Sequence, residues 1–264
     1  MNKFTEPIRV AYPEGNKPIF EEWFSENYKG CDTDRELLPI FPTSFHVNNG
    51  YGSSTQELQD YCDKLNISKK YFGICQYDDG FMIDWKGKNV LEFNMSKKIG
   101  VQIPLLCRPH PFKFKEGKKW FANFIGLKTH QIRDKANLLK QYSDYYISFD
   151  FHDIFNYCNV INESIFTLCY RGYGANSFRI AEAVQYGSIP VYISDEHIIP
   201  NWMNFEDFGV IVKSEDADNV YNILQSIPLD EIIRKQDNLS RSYEKFYTYE
   251  SNFIHIINYL ESGA

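Results

Sequence analysis

The sequence predicts an α/β protein built on parallel sheets, and three observations carry that expectation. From Trp120 onward, short apolar runs alternate with helix-patterned stretches, the order of a sheet with crossover helices. Ser164 to Asp195 forms a strand, a glycine-containing loop, a helix and a second strand in close succession. At 264 residues the chain can bury a substantial core, and two domains are favoured over one.

The first half opens with a strand at Ile8 to Tyr12, a Pro/Gly turn, and a helix from about Lys17 to Asn27 that puts Phe20, Trp23 and Phe24 on one side. Leu37 to Val47 is apolar, but Pro39 and Pro42 reduce it to an edge strand or an extended loop. Ser54-Thr55-Gln56-Glu57 reads as a capping box opening a helix through Leu65, with Leu58, Tyr61, Cys62 and Leu65 as its apolar stripe. Strands follow at Tyr71 to Gln76, Val90 to Phe93 and Ile99 to Leu106. Lys113, Lys115, Lys118 and Lys119 form a basic loop, and the chain crosses between domains at about Lys118 to Gly126.

The second half begins with a strand at Trp120 to Ile125 and a helix from Thr129 to about Tyr142. Tyr145 to Phe149 is a strand, Phe151 to Cys158 a helix, and Ser164 to Cys169 a buried strand. The next helix is capped at Asn176 or Ser177 and stops at Gly187, before strands at Ile189 to Ile193 and Gly209 to Val212. Ser214-Glu215-Asp216 caps a helix carrying Val220, Ile223 and Leu224, and helices from about Leu229 and Arg241 close the chain.

Bulk properties exclude some functions. The formal charge of -7 argues against a nucleic-acid binder held by phosphate contacts. The six cysteines contain no C-x-x-C pair, and Cys62, Cys75, Cys107 and Cys169 lie in apolar contexts, so buried free thiols and a reducing compartment are expected. The amino terminus lacks the apolar core of a signal peptide, and no stretch approaches the roughly 20 apolar residues of a membrane span.

The helix after Ser177 has a physical use, because its first turn leaves backbone N–H groups unpaired and attracts an anion. Ser177 and Arg179 would stand beside that anion, and Glu182 shares a helix face with Arg179. An arginine on phosphates with a carboxylate beyond it suits a nucleotide, the glutamate taking the ribose hydroxyls. An ordinary buried helix with an exposed salt bridge has the same spacing. Asp78 and Asp79 sit at the carboxyl end of a strand, where ligands bind in open sheets, and either could act as a base; a D-G turn chosen for its backbone gives the same residues. His46 and His110 are lone histidines near prolines. Asp32-Thr33-Asp34 and Asp216-Ala217-Asp218 match D-x-D, but neither follows a clear buried strand. No zinc spacing, P-loop or G-x-S-x-G is present, so a metal-independent site is expected.

Arg171-Gly172, Ser177-Phe178-Arg179, Glu182-Ala183, Gly187, Ile189-Pro190-Val191 and Ile193-Ser194-Asp195 together resemble the pattern of the exostosin-like glycosyltransferases. The likeness is dense from Phe166 to Asp195 and patchier at Phe121 to Arg133 and Phe72 to Gly80. The resemblance implies two Rossmann-like domains facing across a cleft, the GT-B type in a compact version, at about 1–125 and 126–264. The last helix would pack back on the first domain. It implies an inverting transferase that moves a sugar from a nucleotide-sugar, most simply a UDP-sugar, to a hydroxyl of a glycan or glycoprotein acceptor without a metal. Arg133, Arg171 and Arg179 would meet the diphosphate, with Gly172, Asn176 and Ser177 around it, Tyr170 and Tyr173 lining the base or sugar pocket, Glu182 on the ribose, and Asp78 or Asp79 as base. Arg133 could equally pair with Asp134 or a neighbouring helix. Animal relatives are membrane-anchored, so the resemblance leaves either a cytoplasmic relative or a soluble domain cut from an anchored enzyme. A GDP-fucose donor and an inactive carbohydrate- or nucleotide-binding relative stand as alternatives; an epimerase or dehydrogenase lacks its G-x-G-x-x-G here.

Overall fold

The structure, a computed structural model, describes residues 3–9, 18–108, 111–150 and 154–263. These form two compact units, one from the described residues up to 108 together with those from 248 on, the other from those between 111 and 247.

The first unit is built on a four-stranded parallel sheet, β1 (Arg35–Leu37), β2 (Lys70–Cys75), β3 (Asn89–Asn94) and β4 (Val101–Gln102), in that order. Tyr71 to Cys75 are all buried, which is why β2 reads as an unbroken apolar run. Helices α1 (Phe20–Asn27), α2 (Pro42–Asn48) and α3 (Thr55–Asp63) complete this part, and Phe45, Leu58, Cys62 and Cys75 lie in one apolar cluster. Three expectations change. Of the Leu37 to Val47 stretch, Leu37 ends the edge strand β1, but the part from Pro42 on is helix rather than strand or loop, because Pro42 occupies the first helical turn, where its missing N–H costs nothing. Ser54 precedes α3 but its hydroxyl donates to Asn49 O, so the capping box does not form. The strand expected over Ile99 to Leu106 pairs only at Val101–Gln102. Residues 10–12 of the expected first strand, the turn after it, the start of α1 at Lys17, and His110 lie outside the described residues.

The second unit holds five parallel strands in the order β6-β5-β7-β8-β9, with β5 Trp120–Ile125, β6 Tyr145–Ser148, β7 Ser164–Tyr170, β8 Ile189–Ser194 and β9 Val210–Lys213. β5 pairs with both β6 and β7, so the segment expected to end the first domain at 125 is a central strand of the second sheet. A 3-10 helix, Gln131–Gln141, links β5 to β6; α4 (Ile154–Asn162) leads into β7, and the rest of its expected start, 151–153, lies outside the described residues. α5 (Phe178–Gln185) joins β7 to β8. After β9 come a 3-10 turn at Ser214–Asn219, α6 (Val220–Gln225) and α7 (Leu229–Phe246).

α7 runs through Arg241 without a break, and α8 (Tyr249–Glu261) starts where Thr248 Oγ1 accepts from Ser251 N at 3.1 Å. α8 belongs to the first unit, with Phe253 against Trp23 and Phe24 and Tyr249 against Phe20. All six cysteines are free. Among the described residues no helix is long and apolar enough to cross a membrane.

The strand order of the second sheet locates a site. From β5 the chain moves to β6 on one side and then crosses back to β7 on the other. The loops leaving β5 and β7 therefore diverge, and the crevice at their carboxyl ends is where open parallel sheets bind ligands.

Candidate functional site

Three arginines lie at the carboxyl ends of β5 and β7, each from a different element. Arg171 follows β7, Arg179 lies in the first turn of α5, and Arg133 lies in the 3-10 helix after β5. Convergence of side chains so far apart in sequence is a product of the fold.

Arg133 is buried, its Nε donating to Arg171 O at 2.8 Å, Nη1 to Leu127 O at 2.9 Å and Nη2 to Tyr170 O at 3.4 Å. It thus ties the end of β7 to the loop after β5. The Asp134 carboxylate faces Lys128 at 3.0 Å. Gly172 leaves room for this arrangement, since a Cβ there would stand 3.2 Å from Arg133 Nη2.

Arg171 pairs with Asp195, the residue after β8, and donates from Nη2 to Tyr173 O at 3.0 Å. The arginine side chain is only 17% exposed whereas the aspartate is 52% exposed, so the carboxylate covers the guanidinium from the solvent side. Partial burial works against the ionisation of Asp195, but its hydrogen bond to Arg171 and that positive charge hold it below the usual carboxylate range.

Arg179 reaches from α5 to β5, donating from Nη2 to Ile125 O, with its guanidinium 5.2 Å from the Phe124 ring centroid. A Cβ on Gly126 would lie 2.6 Å from Arg179 Nη2, so the glycine provides the passage. Burial opposes the charge of Arg179, yet Tyr157 and Glu182 more than offset it and raise its pKa. Both Arg171 Nε and Arg179 Nε are buried with no acceptor among the described residues. A buried donor left unpaired costs roughly 1–3 kcal/mol, which an entering anion would relieve.

The loop between β7 and α5 is pinned from β8, as Tyr192 Oη and Ser194 Oγ both donate to Ala175 O at 3.0 Å. At the helix start, Asn176 Oδ1 accepts from Ser177 N at 2.8 Å and Ser177 Oγ accepts from Arg179 N at 3.4 Å. Side chains therefore satisfy two of the amides that the sequence reading left open for an anion. Anion attraction here rests on the arginines more than on the helix terminus. Tyr173 is exposed, and the carboxylate of Glu182 accepts a hydrogen bond from Tyr157 Oη of α4.

Beside Asp195 opens a concavity of about 550 Å3, lined by His130, Gln131, Ile132, Lys135, Ser214 and Glu215. That volume suits a small-molecule ligand. His130 caps the 3-10 helix, its Nδ1 accepting from Ile132 N at 3.3 Å. Burial and the charges of Arg171 and Arg133 lower its pKa against the opposing pull of Asp195, which keeps the imidazole neutral and able to accept.

Asp78 and Asp79 belong to the first unit, in a turn where Gly80 has φ +72 and its N–H donates to Tyr77 O at 2.9 Å. Asp79 is exposed, 3.7 Å from Lys97. His46 is buried, its Nε2 donating to Phe81 O at 3.1 Å, and burial lowers its pKa, so it serves as a neutral structural group. Gly126, Tyr157 and His130 escaped the sequence reading. The first entered only as the glycine of the Phe121 to Arg133 segment that resembles the family, with no role of its own, the second is one aromatic among 19 tyrosines, and the third is a single histidine before a helix.

Comparison with known proteins bears on this geometry. The family profile for the exostosin GT47 domain matches residues 79–227, more than half of the 264 residues. The chain is 40% identical over 82 residues to a probable glucuronosyltransferase of Oryza sativa subsp. japonica, 30% of this chain and 19% of that protein. A probable β-1,4-xylosyltransferase of Arabidopsis thaliana is 39% identical over 82 residues, 30% of this chain and 20% of the relative. Exostosin-2 of Homo sapiens is 31% identical over 98 residues, 36% of this chain and 14% of the relative. The match thus spans a fifth or less of the length of these relatives.

Proposed function

The chain belongs to the exostosin GT47 family, and from that premise we propose that it is a glycosyltransferase moving a sugar from a UDP-sugar to a hydroxyl of a glycan acceptor with inversion. Its two parallel-sheet units are read as the halves of a GT-B-type enzyme, the second holding the donor. The observation that supports this reading is the placement of Arg171 just after β7 and of Arg179 on Ile125 O at the end of β5, each with an unpaired buried Nε, at the switch point of the sheet.

The reaction is a single displacement. The acceptor oxygen forms a bond to the anomeric carbon as the bond from that carbon to the diphosphate oxygen breaks, and the nucleoside diphosphate leaves with the electron pair. The acceptor proton passes to a carboxylate, for which Asp78 and Asp79 are the candidates. Arg171 exchanges Asp195 for the diphosphate, and Arg179 adds a second charge held by Ile125 O and Phe124. Because negative charge grows on the leaving group as the bond breaks, these charges stabilise the transition state more than the bound donor. Glu182, one helical turn beyond Arg179, takes the ribose hydroxyls, and Arg133 holds the frame on which both arginines rest.

Thermal denaturation with UDP, GDP, UDP-sugars and GDP-fucose, beside an Arg171→Ala variant, tests the proposal. Ligand at about 100 times its dissociation constant stabilises the native state by about 2.7 kcal/mol. A UDP-selective rise that the variant loses is expected. No rise with any nucleotide, in folded protein, would overturn the donor site.

A further inference from the structure

Tyr157 lies on α4 and Glu182 on α5, and the phenol of the first donates to Oε2 of the second. Arg179 precedes Glu182 by three residues and feels both groups electrostatically, so the three form one cluster beside the end of β5. Burial and the charge of Glu182 push the Tyr157 hydroxyl well above its ordinary pKa, so it remains a donor throughout the working range. A carboxylate that grips a vicinal diol must be ionised and held in one rotamer. A neutral donor on one oxygen provides the second property without removing the first.

We infer that Tyr157 is a positioning residue for the donor: by hydrogen-bonding Oε2 it orients Glu182 toward the ribose hydroxyls of the nucleotide. The inference rests on the donor-site reading above and adds a residue from a different helix. Without the phenol, Glu182 orders only when the ribose arrives, and the affinity lost is that of freezing one rotamer-rich side chain, about threefold to tenfold.

The test is calorimetric titration of UDP and of 2′,3′-dideoxy-UDP into the wild-type protein, Tyr157→Phe, Glu182→Gln and the double variant, each first shown by thermal denaturation to be folded. Tyr157→Phe should weaken UDP about threefold to tenfold and the dideoxy nucleotide less than about twofold. In the Glu182→Gln background the same substitution should change neither. Equal loss for both nucleotides, or none for UDP, overturns the role of Tyr157 while Glu182-dependent UDP binding by the wild type keeps the donor site. Absence of UDP binding by the wild type overturns both. If Tyr157→Phe does not fold, Tyr157→His restores a ring donor and must bind UDP better than Tyr157→Leu; parity between those two rejects the assignment.

Discussion

A Cβ on Gly126 would stand 2.6 Å from Nη2 of Arg179, so the residue after β5 is a glycine because an arginine of α5 passes there to reach Ile125 O. The obstructed atom is the tip of a flexible side chain, so Gly126→Ala should displace the guanidinium and leave the sheet intact. Stability is expected to fall by about 1 kcal/mol, one hydrogen bond to a carbonyl, while UDP affinity falls about tenfold or more. Urea denaturation and calorimetric titration measure the two separately. Undiminished UDP binding in the variant would remove Arg179 from the donor site.

Asp195 and a diphosphate compete for Arg171 in the proposed reaction. Asp195→Asn removes the competitor and leaves a neutral side chain of the same shape. Because the aspartate is half-exposed, the pair contributes only about 0–1 kcal/mol to stability. UDP should bind about threefold to tenfold tighter, most clearly at low ionic strength, where charges are least screened. Weaker binding would mean that Asp195 aims Arg171 at the ligand.

How far the sequence reveals this molecule depends on the range of the interactions. Strands β5, β7 and β8 are legible because a strand covered on both faces must be nearly unbroken in apolar residues. α5 is legible because a serine cap, apolar spacing and a stopping glycine lie within one short stretch. α2 is not, because a proline signals a helix start and a strand edge equally well. At the site, Arg171, Arg179 and Glu182 follow from local pattern, whereas the passage at Gly126 and the phenol on Glu182 depend on which side chains two separate elements bring together. Likeness to the family's arginine after this strand singled out Arg133, but only geometry shows its guanidinium turned to three carbonyls.

Glu21 introduces a pH dependence into the first unit. Its buried carboxyl receives hydrogen bonds from Gln76 N at 2.7 Å, Thr43 N at 3.0 Å and the Thr43 hydroxyl. Burial pushes its pKa from 4.5 to about 8 in spite of those bonds, which pull the other way. The folded pKa is above the unfolded one, so the contribution of Glu21 is fully present below about pH 4.5 and lost as the pH rises through about 8. Glu21→Gln should flatten this part of the stability profile. Urea midpoints at pH 5, 6.5 and 8.5 in both proteins measure it, and an identical slope in the two would exclude Glu21 as its source.

Arg133 separates bracing from ligand contact. Its fork joins Leu127 O after β5 to Tyr170 O and Arg171 O at the end of β7, the two strand ends that form the crevice. Lysine keeps the charge but has one ammonium in place of the planar fork, so it cannot satisfy the same set of carbonyls. A phosphate, by contrast, accepts a lysine as a point charge. Arg133→Lys should therefore lower stability by about 1–3 kcal/mol and weaken UDP binding through the displaced Arg171, while Arg171→Lys should leave stability nearly unchanged and keep most of the affinity. The opposite pattern, an Arg133→Lys protein of wild-type stability with UDP binding weakened, would put this guanidinium on the phosphate and not on the frame beneath it.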